Sequence, residues 1–143
     1  MSSNSPLERV VRFYETLEAA SVPQVRSIYA PDASFKDPFN EVRGHAAIVR
    51  IFEHMFVQVQ APRFVVLEQV QQGTQAFLTW EFRFHMRHLG RGEVVVRGAS
   101  HLAFDDRGQV AMHRDYWDVA EELYEKLPLL GGLMRLLKRA SRA

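Results

Sequence analysis

The 143-residue chain contains no cysteine, which excludes disulfide bonds, thiolate metal ligands and a cysteine nucleophile. It also lacks an excess of charge, because 18 lysines and arginines against 17 acidic residues leave a formal charge of +1. Nucleic-acid-binding domains usually have a concentrated basic excess, so we expect no nucleic-acid partner. Without cysteine, redox arguments give no information about the cellular compartment.

Long hydrophobic segments are also missing from the sequence. No run approaches the roughly 18 apolar residues that a membrane-spanning helix needs. The first ten residues, MSSNSPLERV, have no apolar core of the kind found in secretory signals. We therefore expect a cytoplasmic protein without a membrane span.

The sequence has no motif for a metal or a phosphate group. His85 and His88 are three positions apart on a predicted strand, which places them on opposite faces, so they cannot chelate one ion. There is no HExxH motif, and the GRG segment at residues 90–92 is too short for a phosphate-binding loop. We expect neither a metal nor another cofactor.

Helical periodicity dominates the first part of the chain. Ser5, Pro6 and Glu8 are typical of a helix start, with Ser5 as the N-cap. A second, short helix is predicted over residues 23–29, and a third over residues 44–57. A brief strand, ASFKD, lies between them.

From residue 63 the apolar period changes from helical spacing to two, which predicts consecutive strands joined by short turns. The predicted strands cover residues 63–71, 75–89, 93–104 and 110–117. A helix over residues 118–126 and a last amphipathic stretch form a C-terminal helical extension over residues 119–143. No linker divides the chain, so we predict a single α+β domain over residues 1–143, with helices packed on one face of a curved sheet.

Two segments resemble a known family. The stretch IYAPDASFKDPFNEVRGHAAI, followed by four strands and FDDRGQVAMHRDYWD, is similar to the nuclear transport factor 2-like superfamily, in its ketosteroid isomerase-like and SnoaL-like branch. The resemblance covers nearly the whole domain except the C-terminal tail. It implies a cone-shaped fold in which N-terminal helices pack in the concave face of a curved antiparallel sheet.

The resemblance also implies site residues. In the isomerases the aspartate of the matching D-P-F element is the general base, which assigns that role to Asp37. Their oxyanion hole combines a tyrosine with a protonated aspartic acid. The position of the tyrosine matches Phe13, with Tyr14 one step away, and that of the acid matches Ser100. A phenyl ring cannot donate a hydrogen bond, so the polarising part of the site differs from that of the isomerases.

Strand alternation adds further candidates to this site. In the isomerases a tryptophan that matches Trp117 lines the cavity, and alternation then brings Asp115 and His113 to the same side. We predict that Asp37 accepts a proton, while Asp115, or His113 held by it, polarises the substrate. The predicted pocket-lining residues are Tyr14, Phe39, Trp80, Phe82, Phe84, Ser100 and Trp117. Apolar walls with a few polar groups are typical of small-molecule pockets.

Each catalytic candidate also fits a structural role. Asp37 precedes a proline and can be a turn residue. Asp115 can form an ion pair with Arg43 or Arg50, and His113 can be a hydrogen-bonded wall residue.

Three functions follow from these options. The first is binding of a small apolar molecule, with a carbonyl group as one option, and cofactor-free proton transfer of the isomerase or cyclase type. The second is a non-catalytic module of the same fold that binds a ligand or a protein. The third is a limonene-type epoxide hydrolase, which needs an arginine beside its two carboxylates.

The outer face of the predicted sheet is half apolar. Its apolar members are Val65, Leu67, Val95, Ala99, Ala103, Met112 and Tyr116. Because such a face is unfavourable in water, and because members of the superfamily commonly dimerise through it, we expect a homodimer formed by this surface.

Overall fold

The computed structural model describes residues 5–86, 92–124 and 136–141. The helices are α1 (Pro6–Glu15), a 3-10 helix (Ala19–Gln24), α2 (Val25–Ile28), α3 (His45–Gln58) and α4 (Val119–Glu122), and residues 136–141 are also helical. The strands are β1 (Tyr29–Lys36), β2 (Glu41–Arg43), β3 (Val59–Gln72), β4 (Gln75–Met86), β5 (Val94–Phe104) and β6 (Val110–Tyr116). In these ranges, no helix combines the length and apolar character needed to cross a bilayer.

The strands form one curved, open sheet in the order β2-β1-β6-β5-β4-β3. Strands β3 to β6 form the predicted antiparallel meander. Strand β1 pairs in parallel with β6, with Phe35 opposite His113. The predicted α+β class is therefore confirmed, and the sheet as a whole is mixed because its first strand lies beside its last.

The start of α1 is the one that the sequence predicts. The hydroxyl oxygen of Ser5 accepts a hydrogen bond of 3.1 Å from the backbone N–H of Glu8, which satisfies one of the free donors of the first turn. The buried face of α1 consists of Leu7, Val10, Phe13 and Tyr14. This spacing packs α1 against the concave face of the sheet.

The second predicted helix differs from the structure. Residues 19–28 form a 3-10 helix followed by a single α-helical turn, and Tyr29 already begins β1, opposite Val110. Strand β2, which the sequence did not indicate, pairs Glu41 with Lys36 and Arg43 with Ser34. As a result, Asp37 to Asn40 form the turn of a hairpin rather than a link into α3.

The core fills the space between the helices and the concave face. Trp80 lies there because Gly98 on the neighbouring strand has no side chain, and a Cβ at Gly98 would stand 2.4 Å from the indole. The largest fully buried side chains are Tyr29, Ile48, Leu102, Val10, Val25 and Val110. The predicted continuation of β4 to residue 89, with His88, and most of the C-terminal extension fall outside the described residues.

Candidate functional site

Asp37 lies in the β1–β2 hairpin turn. Its Oδ1 accepts hydrogen bonds from the backbone N–H groups of Phe39 (2.8 Å) and Asn40 (2.7 Å) and from the side-chain amide of Asn40 (3.1 Å). Its Oδ2 is hydrogen-bonded to that amide at 3.2 Å and to no other group of the described residues. An aspartate that binds the backbone two residues ahead stabilises a turn, so Asp37 has the turn role that the sequence left open.

Hydrogen bonds from buried side chains orient Asp115. Its Oδ1 accepts one hydrogen bond from Nε2 of His113 (2.5 Å) and another from the hydroxyl of Ser100 (2.5 Å), the residue opposite it on β5. The indole N–H of Trp80 donates to the oxygen of Ser100 at 2.8 Å. Among the described residues, nothing donates to Oδ2 of Asp115, and the alternative ion pair with Arg43 or Arg50 is not formed.

The other ring nitrogen of His113 faces two phenols. The hydroxyl of Tyr29 lies 2.7 Å from Nδ1, and that of Tyr14 lies 3.2 Å from it. The two hydroxyls are also hydrogen-bonded to each other. Burial raises the pKa of both tyrosines, and the negative charge of Asp115 raises it further. Both phenols therefore stay protonated and can donate.

Aromatic rings enclose this hydrogen-bonded group. The ring centroid of Phe35 lies 4.7 Å from that of His113, and Phe64 lies 5.3 Å from Tyr14. The side chain of His113 is only 2% exposed, whereas that of Asp115 is 19% exposed. The group is therefore sealed at its tyrosine end and reaches the surface at Asp115.

Asp115 borders a cavity of about 550 Å³ that opens where β1 and β6 end. Its lining consists of Lys36, Asp37, Pro38, Arg114, Asp115, Tyr116, Trp117 and Asp118. The ring of Phe39 packs edge-on against Trp117, with 5.7 Å between centroids. Both predicted carboxylates thus share one opening with an aromatic wall. In the described part of the chain, no three acidic or histidine side chains converge as a metal site would require.

Residues 10–113 match the family model of the SnoaL-like domain. The chain belongs to the SnoaL-like family. The match covers most of the chain and agrees with the resemblance that the YAPDASFKDPF segment suggests. Among curated proteins, none matches the chain in sequence.

Several solved structures have the same fold as this SnoaL-like chain. An NTF2-like protein of unknown function from Burkholderia pseudomallei has 19% identity and a TM-score of 0.71, with 84% of this chain and 95% of that one covered. An LEH-like epoxide hydrolase of M. tuberculosis has 18% identity and a TM-score of 0.67, with coverages of 94% and 93%. A protein with a ketosteroid isomerase-like fold from Catenulispora acidiphila, in complex with trimethylamine, has 10% identity and a TM-score of 0.71, with coverages of 85% and 92%. At these identities the likeness concerns the fold alone.

In the structure of this SnoaL-like chain, the predicted site residues lie in three groups. Asp37, Asp115 and Trp117 meet at the opening, with Phe39 beside Trp117. His113, Ser100, Trp80 and Tyr14 form the hydrogen-bonded group behind Asp115. Phe82 and Phe84 do not border the opening; Phe82 stacks on Phe64 at 4.5 Å and lies 5.0 Å from Phe84.

Sequence reasoning missed Tyr29, the nearest donor to Nδ1 of His113. It fell at the end of a predicted helix, and the first part of β1 shows no clean alternation because the β1–β6 register shifts between Tyr29 and Ser34. The remaining signal was a tyrosine directly before the apolar positions of β1.

Proposed function

We propose that this SnoaL-like protein binds a small hydrophobic molecule with a carbonyl group at the opening between Asp37 and Trp117, and catalyses cofactor-free proton transfer there. The observation that supports this most is the hydrogen bonding of the Asp115 carboxylate. One of its oxygens is fixed by His113 and Ser100, while the other takes no hydrogen bond from the described residues. A carboxylate oriented in this way can accept a proton from a bound substrate.

The proposal gives the role of base to Asp115 and reverses the assignment made from the sequence. Oδ1 of Asp37 already accepts three hydrogen bonds within its own turn. Asp37 remains the second candidate base through Oδ2. In either case the carboxylate removes a proton from a carbon next to the carbonyl and returns it to the same carbon of the enolate or, where a neighbouring double bond makes it a dienolate, to the far end of the conjugated system, so no co-reactant is consumed.

Charge and shape at the opening support this chemistry. Lys36 and Arg114 border it and can stabilise the negative charge that develops on the enolate oxygen. Trp117 and Phe39 offer apolar surface for the body of the molecule. A structural relative that holds trimethylamine supports small-molecule binding in this fold.

The test is deuterium incorporation into a panel of enolisable cyclic ketones in heavy water, followed by NMR. We expect Asp115→Asn to slow incorporation by about 100-fold or more, the usual contribution of a general base, while the ketone still binds. We expect Asp37→Asn to reduce the rate much less, since an asparagine Oδ1 can keep the turn bonds. Asp106→Asn, an exposed carboxylate in the β5–β6 turn, is the matched control.

The outcomes separate the alternatives. Loss of exchange in Asp37→Asn alone would restore Asp37 as the base. Ketone binding without any exchange in the wild type would favour a non-catalytic binding module.

A second candidate, hydrolysis of an epoxide, is favoured by one observation. Arg114 borders the same opening as Asp37 and Asp115, which gives the two carboxylates and one arginine that a limonene-type relay needs. Against it, the guanidinium of Arg114 lies 4.5 Å above the ring of Tyr116 and has no described hydrogen bond to either carboxylate. Diol formation from a panel of cyclic epoxides, lost in Arg114→Gln, would identify this activity.

A further inference from the structure

A chain of six hydrogen-bonded side chains crosses the interior of the fold, from β4 to α1. It consists of Trp80, Ser100, Asp115, His113, Tyr29 and Tyr14. In the described residues, no buried side-chain nitrogen or oxygen lacks a hydrogen-bond partner. The position of each proton in this six-residue chain can therefore be assigned by counting donors and acceptors.

The first half of the assignment starts at Trp80. An indole N–H can only donate, so the oxygen of Ser100 accepts from it. The hydroxyl proton of Ser100 is then directed to Oδ1 of Asp115. An ionised carboxylate only accepts, so Nε2 of His113, which meets the same oxygen, has to hold a proton.

The second half starts at Tyr14. Its phenol and that of Tyr29 stay protonated, as their burial requires. Two protonated phenols need two acceptors, and the only acceptor beyond their own oxygens among the described residues is Nδ1 of His113. Tyr29 is the nearer of the two to Nδ1, at 2.7 Å against 3.2 Å, so we assign Tyr29 as its donor and Tyr14 as the donor to Tyr29. This requires Nδ1 to be unprotonated. Both halves give the same tautomer, and every proton in the six-residue chain is directed toward Oδ1 of Asp115.

The opposite tautomer fits this environment poorly. A proton on Nδ1 would be donated to Tyr29, whose own proton would pass to Tyr14, and no described acceptor remains for the proton of Tyr14. At the other end, an unprotonated Nε2 would face the carboxylate of Asp115 at 2.5 Å without a proton between them. Both consequences are unfavourable in a buried site.

We infer that Tyr29 is a positioning residue of the site: backed by Tyr14, it holds His113 in the Nε2–H tautomer and thereby fixes Asp115 with one oxygen free at the opening. The catalytic part of this inference rests on the proposed function. The tautomer does not, because it follows from the hydrogen bonds and from the protonated state of the buried phenols. A wrong tautomer lowers rates strongly in other sites that depend on an oriented imidazole.

The test compares Tyr29→Phe with Tyr14→Phe, which each remove one buried phenol oxygen. Nitrogen-detected NMR of the six histidines, with His113 assigned through His113→Gln, reports the protonation of each ring nitrogen. In the wild type, at a pH where the ring is neutral, we expect a protonated Nε2 and an unprotonated Nδ1. Tyr14→Phe should keep this signature, and Tyr29→Phe should shift it toward a mixture of tautomers.

The second readout is deuterium incorporation in the ketone that the wild type exchanges. We expect Tyr29→Phe to lower its maximal rate by about tenfold or more with unchanged ketone affinity, and Tyr14→Phe to lower it less. A wild-type His113 protonated on Nδ1, or a Tyr29→Phe variant with unchanged nitrogen signals and rate, would overturn the inference. If no ketone is exchanged, the NMR result still decides the tautomer, so failure of the proposed function is distinguishable.

Discussion

The buried phenols of Tyr14 and Tyr29 are expected to make the stability of the fold sensitive to alkaline solution. Their folded-state pKa lies above the ordinary tyrosine value of about 10 because burial disfavours the phenolate. Below that pH both the folded and the unfolded chain keep the two protons. Above it, the unfolded chain releases them while the folded protein does not, so stability is lost as pH rises.

We therefore predict that the free energy of unfolding falls above about pH 10, by up to about 2.7 kcal/mol per pH unit for the two groups together. Urea denaturation at a series of pH values measures this slope. Tyr14→Phe should reduce its steepness by about half, because one titrating group remains. Reversible ionisation of all four tyrosines near pH 10 in the folded protein would disagree with this prediction.

Single residues also show how far the sequence could predict the site. Alternation predicted that His113 and Asp115 share one side of their strand, and their side chains are hydrogen-bonded to each other, whereas Trp117 lies just beyond the end of β6. It could not predict what each side chain binds. The turn bonds of Asp37 depend on the position of Asn40, and the contact of Tyr29 with His113 joins residues that are far apart in sequence.

Helix α4 is attached to β5 through the buried carboxylate of Glu122. Strand β6 ends opposite Ala99, so its pairing does not extend to Arg97. The carboxylate of Glu122 accepts from the backbone N–H of Arg97 at 2.8 Å and pairs with its guanidinium at 3.0 Å. Glu122 thus takes the place of a strand at this edge, and its side chain is only 6% exposed.

We predict that Glu122→Gln lowers the Tm by a few degrees and accelerates hydrogen exchange of the Arg97 amide. The amide nitrogen of glutamine would face the guanidinium as a second donor, which weakens the contact that holds α4. Thermal unfolding and amide exchange measure the two effects. Glu121→Gln, at the exposed neighbouring position, is the matched control, and equal behaviour of both variants would contradict this role of Glu122.

Long helices and strands were predicted more accurately from the sequence than short ones. The long meander strands were predictable because many alternating positions and short turns agreed. Strand β2 has three residues and no alternation to detect, and it forms only because the Asp37 turn brings Glu41 beside Lys36. The predicted second helix began four residues late and ran one residue too far, because Tyr29 belongs to a strand whose partner, β6, lies near the other end of the sequence.

The outer face of the sheet remains a proposed dimer surface. Exposed apolar side chains on β3, β4 and β6 are Leu67, Val70, Phe77 and Tyr116. The ring of Phe77 is half exposed and stacks on His101 with 4.4 Å between centroids, which holds an apolar ring in place on this face. Aromatic side chains are enriched among the residues that contribute most to protein interfaces.

We predict a homodimer at micromolar concentration, measured by sedimentation, that Phe77→Lys converts to a monomer. A lysine would place a charge within the proposed interface, which is unfavourable without a partner. Val57→Lys is the control, because Val57 is an exposed apolar residue of α3 rather than of the sheet. A wild-type protein that sediments as a monomer would rule out this surface.

The parallel pairing of β1 with β6 has a consequence for biosynthesis. Asp37 emerges from the ribosome early, but the strand against which its hairpin lies is the last of the sheet to be made. A nascent chain can form its helices and strands β3 to β5 before residues 114–118, which line one side of the opening, have been synthesised. Assembly of the proposed site is thus coupled to completion of the sheet, and chain fragments that end before β6 lack it.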